Sequence, residues 1–213
     1  MNHRNAGFTL MELVVATTLL AAALALAFTT VRASTATAQR AEEMAARNER
    51  MRAVEGFLRR RIASALPVAF GVDTQSGGGI RFIGEPDRMR FVADLPPYLG
   101  RGGPHLHDIR VTEEDDGLRL EAAFAVVLAA EVQEEDDPRP PELLAGGLQE
   151  VRLAYRGLDA RNQLGEWEDT WEQGDRMPLQ VRIEVVDGRG DPWPTMIVTL
   201  PQAAAFSGGG VPF

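Results

Sequence analysis

Histidines, tryptophans and acidic runs are the groups in this chain whose chemistry could reach beyond packing. His105 and His107 stand two apart, with Asp108 beside the second. On a strand both rings would face one side and could share a metal. Their neighbours Gly102, Gly103 and Pro104 instead predict a solvated loop. The acidic runs 113–116 and 134–137 could attract Ca²⁺, whose ligands are oxygens, but neither has the D-x-D-x-D-G spacing of an EF-hand loop. Solvated loops are the expectation for both. Gly77-Gly78-Gly79 lacks the strand–G-x-G-x-x-G–helix context of a phosphate loop. Trp167 and Trp171 could stack a ligand, but core packing and loop anchoring are expected of them. With no cysteine there is no disulfide, redox pair or thiolate metal site. All 22 basic residues are arginine, so no lysine can form a Schiff base or act as a base. No G-x-S-x-G or H-E-x-x-H occurs. The residues recommend no enzyme, no cofactor and no resident metal.

One further group is chemically out of place. Residues 8–31 form an apolar run of 24 residues whose single charge is Glu12. As a helix the run spans about 36 Å, enough for a hydrocarbon core of about 30 Å. No Pro or Gly interrupts it, as a bilayer demands, since every backbone group must pair internally. The run exceeds the roughly 7–15 apolar residues of a secretory signal peptide. An ordinary single-pass anchor explains its length but not its glutamate. A carboxylate at the centre of a membrane helix costs about 2.5–3.5 kcal/mol, and less near an end. Such a group needs a partner or a task.

The string Gly7-Phe8-Thr9-Leu10-Met11-Glu12-Leu13, behind a short polar leader that includes His3, resembles the leader of type IV pilins and type II secretion pseudopilins. In that family a prepilin peptidase cuts after the glycine, and the new N-terminal residue, usually Phe, is N-methylated. A glutamate then stands fifth in the mature chain. The resemblance implies cleavage between Gly7 and Phe8, methylation of Phe8, and an assembly role for Glu12.

These groups need an element to hold them. Residues 32–66 contain no Pro and one Gly, Gly56. Met44, Met51, Val54, Leu58, Ile62 and Leu66 recur at three-, four- and seven-residue steps, the apolar face of an amphipathic helix. The helix is predicted to continue to residue 66, with Pro67 ending it. Arg59, Arg60 and Arg61 suit the negative end of the helix dipole and read as a solvated terminus. Beyond Pro67 the texture becomes short apolar runs between turns. Strands are predicted over 80–83 and 89–92. A hairpin is predicted over 109–113 and 118–124, closed by Asp115-Asp116-Gly117, with 124–130 continuing its second strand. Further strands are predicted over 148–155, 179–186 and 193–200, and an acidic loop over 131–142. The expected organisation is a leader (1–7), a transmembrane helix (8–31), its amphipathic continuation (32–66), a β-rich domain (67–202) and a flexible tail (203–213). The fold class is α+β: a long N-terminal helix, its distal half packed on antiparallel sheet.

Charge divides along the same line. Residues 32–61 carry eight Arg against four Glu, while residues 62–213 carry thirteen Arg against twenty-six acids. An acidic body disfavours nucleic acid as a partner and favours solubility. Arg4 stands alone before the apolar run, whereas Arg32, Arg40, Arg47 and Arg50 follow it. The positive-inside rule would place the domain in the cytoplasm. The family resemblance implies the opposite, a periplasmic domain held to the bacterial inner membrane by one span.

Within the family the C-terminal part is similar to the J-type minor pseudopilin of type II secretion. There a tryptophan-containing loop precedes a Leu-Pro-x-x-Val strand and a final strand. Here Trp167-x3-Trp171 precedes Met177-Pro178-Leu179-Gln180-Val181, with Met177 in place of the usual Leu. The resemblance implies assembly at or near the tip of a periplasmic pseudopilus, with I-type and K-type minor pseudopilins and the major pseudopilin as partners. A PilW-like minor pilin of a type IV pilus is the alternative.

Intact mass of the protein extracted from membranes is expected to correspond to a chain that starts at Phe8 and carries one extra methyl group. A bulky residue in place of Gly7 should leave precursor, because the small Gly leaves the backbone open to the peptidase. A mature chain that starts elsewhere would remove the pilin reading.

Overall fold

The computed structural model describes residues 9–74, 77–95, 102–133 and 139–202. The leader with Gly7 and Phe8, and the tail over 203–213, lie outside the described residues. So do parts of the expected loops, at 75–76, 96–101 and 134–138. The chain divides into two units, Met1–Arg50 and Met51–Phe213.

In the first unit every described residue belongs to helix α1 (Leu10–Ala63) except Thr9, which precedes it. Its apolar side chains stand exposed on all sides, Leu10, Leu19, Leu24 and Phe28 among them. A helix apolar all round has no face to turn to water and needs apolar surroundings. The helix is long and apolar enough to cross a membrane. Its threonines do not spoil that surface. Thr17, Thr18, Thr29 and Thr30 turn their hydroxyls back onto carbonyls three or four residues earlier, at 2.8–3.0 Å.

In the second unit the end of α1 packs on sheet. Val54, Leu58 and Ile62 are buried, at i, i+4 and i+8. The packed stripe is shorter than the sequence suggests. Met44 is 56% exposed, and Leu66 is not helical. The helix stops at Ala63, and Ala65–Leu66 forms strand β1, paired with Val92 and Ala93. Two causes combine. A residue before proline is driven to extended backbone. Ser64 also closes the helix, donating its N–H to the carbonyls of Arg60 and Arg61 and its hydroxyl to that of Arg61. The arginines here are not simply solvated. Arg61 donates to the carbonyl of Asp94 at 2.7 Å, and Arg59 to that of Ile197 at 3.1 Å.

Strands β2 (Gly71–Val72) and β3 (Gly79–Ile80) form a small ladder of their own. The main sheet contains β4 (Phe82–Gly84), β5 (Arg88–Leu95), β6 (Gly103–Glu114), β7 (Gly117–Leu128), β8 (Glu131–Val132), β9 (Glu142–Arg156), β10 (Gln180–Asp187) and β11 (Met196–Thr199). Its order is β1-β5-β6-β7-β9-β10-β11, with β4 on β5 and β8 on β7. All pairings are antiparallel, as the α+β reading requires.

The Asp115-Asp116-Gly117 turn closes the β6–β7 hairpin as expected, and Gly117 takes the positive φ (118°) that favours glycine there. Other boundaries move. The expected acidic loop contains β8 and the start of β9. The last strand begins at Met196 rather than Trp193, because Pro194 has no N–H to give to β10. The main core gathers Val54, Leu58 and Ile62 with Phe82, Met89, Phe91, Ile109, Leu120, Tyr155, Val181 and Ile183. On the opposite face of the β5–β6 ladder, Phe70, Val92, Leu106 and Val127 form a smaller core.

The two-residue turn between β7 and β8 is strained. Ala129 and Ala130 both sit at positive φ, 52° and 67°. Asn-Gly is the pair that suits such a hairpin. Replacing both, Ala129→Asn with Ala130→Gly, should raise stability by about 1 kcal/mol in a denaturant titration. A loss of stability would mean that the alanines are held there by contacts worth more than the strain.

Candidate functional site

Helix α1 begins at Leu10, inside the Gly7–Leu13 motif. Thr9 is its N-cap. The Thr9 carbonyl accepts the N–H of Leu13 at 3.2 Å, and its hydroxyl accepts the N–H of Glu12 at 3.3 Å. Glu12 is therefore the third residue of the first turn, where the partial positive charge of the helix end favours a carboxylate. Thr9-x-x-Glu12 also has the spacing of a capping box, a signal the sequence carries. Glu12 is exposed, and among the described residues no cation reaches it. The described residues thus present an exposed ionisable group at the head of an apolar helix.

The histidines differ most from expectation. Both lie in β6, and both are buried rather than solvated. The physical reason is continuity of alternation. His105 and His107 fall on the same side of β6 as Ile109, the side that faces the main core. His107 stacks on Phe91 with ring centroids 5.3 Å apart and meets Phe124 edge-on at 5.0 Å. Its Nδ1 bonds the carbonyl of His105 at 3.0 Å, and the Nδ1 of His105 bonds that of Gly103 at 2.9 Å. Burial pushes the His107 pKa down to about 4, so the ring is neutral at ordinary pH. Among the described residues no group of three or more His, Asp or Glu side chains could hold a metal. At the β6–β7 turn Arg119 already meets Glu114 and Asp116, both at 3.4 Å.

The tryptophans are anchors. Trp171 is buried, receives its place through its N–H to the Gly84 carbonyl, and donates Nε1–H to the Arg176 carbonyl, both at 2.9 Å. Trp167 lies against two guanidiniums, Arg156 at 4.3 Å and Arg182 at 4.8 Å from its ring centroid. Sequence reasoning overlooked Tyr155. Its hydroxyl donates to the carbonyls of Glu85 (2.8 Å) and Arg88 (3.2 Å), locking β9 to the β4–β5 turn. Burial raises its pKa well above the usual tyrosine range, so it stays a donor. An open cleft of about 460 Å³ lies beside Trp171, lined by Leu158, Met177, Arg81 and Arg176 among others. It brings together no nucleophile and base.

Comparison with known proteins agrees with the N-terminal geometry. Residues 2–28 match the family described as the prokaryotic N-terminal methylation motif. The chain is 50% identical over 211 residues to type II secretion system protein J of Xanthomonas campestris pv. campestris, covering 99% of this chain and 98% of that protein. A chain in the crystal structure of the GspK-GspI-GspJ complex of the enterotoxigenic Escherichia coli type 2 secretion system matches with a TM-score of 0.48. It shares 16% identity and covers 73% of this chain and 98% of its own.

The Trp171 anchor depends on two glycines. A Cβ at Gly157 would fall 2.6 Å from the indole, and one at Gly84 would fall 2.7 Å from the Tyr155 ring. Since Nε1 is tied to Arg176, the indole cannot simply swing aside. Gly157→Ala should therefore destabilise the protein by about 1–3 kcal/mol in denaturant titration. The loss should shrink when Trp171→Leu removes the ring. An equal loss in both backgrounds would show that the contact is not its cause.

Proposed function

This chain belongs to the type II secretion system protein J family, and we propose from that membership that it serves as a minor pseudopilin of the secretion apparatus. The observation that carries the reading is 50% identity spread over 99% of the chain and 98% of its relative. The PilW-like alternative is not favoured, because that relative is a secretion protein. The role is structural: the subunit assembles at or near the tip of the periplasmic pseudopilus and supports protein export.

Prepilin peptidase cleaves between Gly7 and Phe8, and Phe8 is N-methylated. Support comes from the match of residues 2–28 to the methylation motif. Helix α1 then holds the subunit in the inner membrane as a single span, with the domain in the periplasm. The partners are the I-type and K-type minor pseudopilins and the major pseudopilin, reached through the apolar helix. Nucleic acid is not among them, given an acidic domain.

The assembly chemistry centres on Glu12. Cleavage frees an amine at Phe8 that is largely protonated near neutral pH. Burying that charge among membrane helices is unfavourable unless it is paired. Glu12 lies four residues from Phe8, about one turn, and is exposed at the head of the helix. Its carboxylate can neutralise the subunit's own amine or that of the subunit ahead; if the partner is the subunit ahead, this subunit docks beneath another rather than topmost.

Glu12→Ala should leave leader removal and membrane fractionation unchanged. Crosslinking to partner subunits should fall by roughly tenfold or more, the scale of a charge-assisted bond of about 1.5–3 kcal/mol. Crosslinking and secretion at the normal level in this variant would remove the pairing role.

A further inference from the structure

His107 belongs to a row of rings that reaches the end of α1. Phe57 of α1 meets Phe124 edge-on at 6.4 Å, Phe124 meets His107, and His107 stacks on Phe91. The ring is fully buried, and its Nε2 has no hydrogen-bond partner. A neutral imidazole with its donor on Nδ1 tolerates that site, since Nε2 is then only an unfilled acceptor. An imidazolium does not, because it would place a second N–H and a positive charge among phenylalanines. The charged groups that act on it make matters worse. From α1 comes Arg61, and from β6 itself comes His105, and both disfavour a cation at His107. Phe91 on β5 and Phe124 on β7 bring no charge.

We infer that His107 makes the seat of the helix acid-sensitive: protonation of its ring loosens residues 51–63 of α1 from the sheet. The direction follows from the two states. An exposed imidazole has a pKa of about 6.5, whereas in the fold that of His107 is pushed down to about 4. The seat therefore keeps its full strength above about pH 6.5 and loses it as pH falls from there toward 4. Over that window the open form binds the proton and the closed form does not. At pH 4.5 the opening equilibrium should rise by roughly a hundredfold relative to pH 7.5. Arg61 sharpens the response, because the last turn of α1 carries this charge and it repels a cation at His107.

Hydrogen exchange of the full chain in detergent micelles tests this, read at residues 54–62 and corrected for the intrinsic effect of pH on exchange. The wild type should lose about a hundredfold in protection between pH 7.5 and pH 4.5. His107→Phe, and His107→Leu should the first prove too bulky, should lose less than about tenfold. His105→Gln should respond as the wild type does. Undiminished protection in the wild type at pH 4.5 would overturn the inference. So would an equal loss in the His107 variants, which would make another group the responsive one. A response abolished only by His105→Gln would overturn it as well.

Discussion

The apolar surface of the first turns of α1 is a demand that the described part of this chain does not meet. Leu10, Leu13, Leu19, Leu20, Leu24, Leu26 and Phe28 all stand exposed. Each such side chain gains about 1.5–3 kcal/mol when it leaves water. Surroundings as apolar as the interior of a membrane supply this gain, and the helix is long and apolar enough to cross one. The other features follow from the demand. Threonine hydroxyls fold back onto the backbone so that the surface stays apolar, and one carboxylate sits in the first turn, where the helix end favours it. Within the second unit the sheet holds the end of the helix.

That end is held by a modest set of contacts. Val54, Leu58 and Ile62 enter the core, Phe57 touches Phe124, and two arginines reach carbonyls of the sheet. A seat of this kind can be strong without being extensive, because three of its side chains are nearly or fully buried at a four-residue period. The sheet below is stiffened by its own devices: the Tyr155 hydroxyl between two carbonyls and the Trp171 indole fitted over Gly157.

Much of this was legible in the residues. The long helix follows from the lack of proline before Pro67, and the β6–β7 hairpin from Asp-Asp-Gly. The glutamate is conspicuous because it is the single charge in an apolar run. Other parts were hidden. Leu66 continues the helical period yet belongs to β1, because proline governs the residue before it more strongly than periodicity does. His105 and His107 read as loop because Gly and Pro precede them. Their alternation with Leu106 and Asp108, in step with Ile109, was the signal that they belong to a strand. Tyr155 and the close approach at Gly157 come from contacts distant in sequence, which no local pattern encodes.

Arg59 has a consequence for how the domain behaves in a crowd. Strand β11 ends the sheet, and its Leu200 neighbour bonds back toward β10, so the intervening Ile197 carbonyl points outward. An open edge of this sort is a template on which a stray strand from another molecule can grow. The guanidinium of Arg59 occupies that carbonyl and sets a charge along the edge. Uncontrolled strand addition is thereby discouraged where subunits are concentrated.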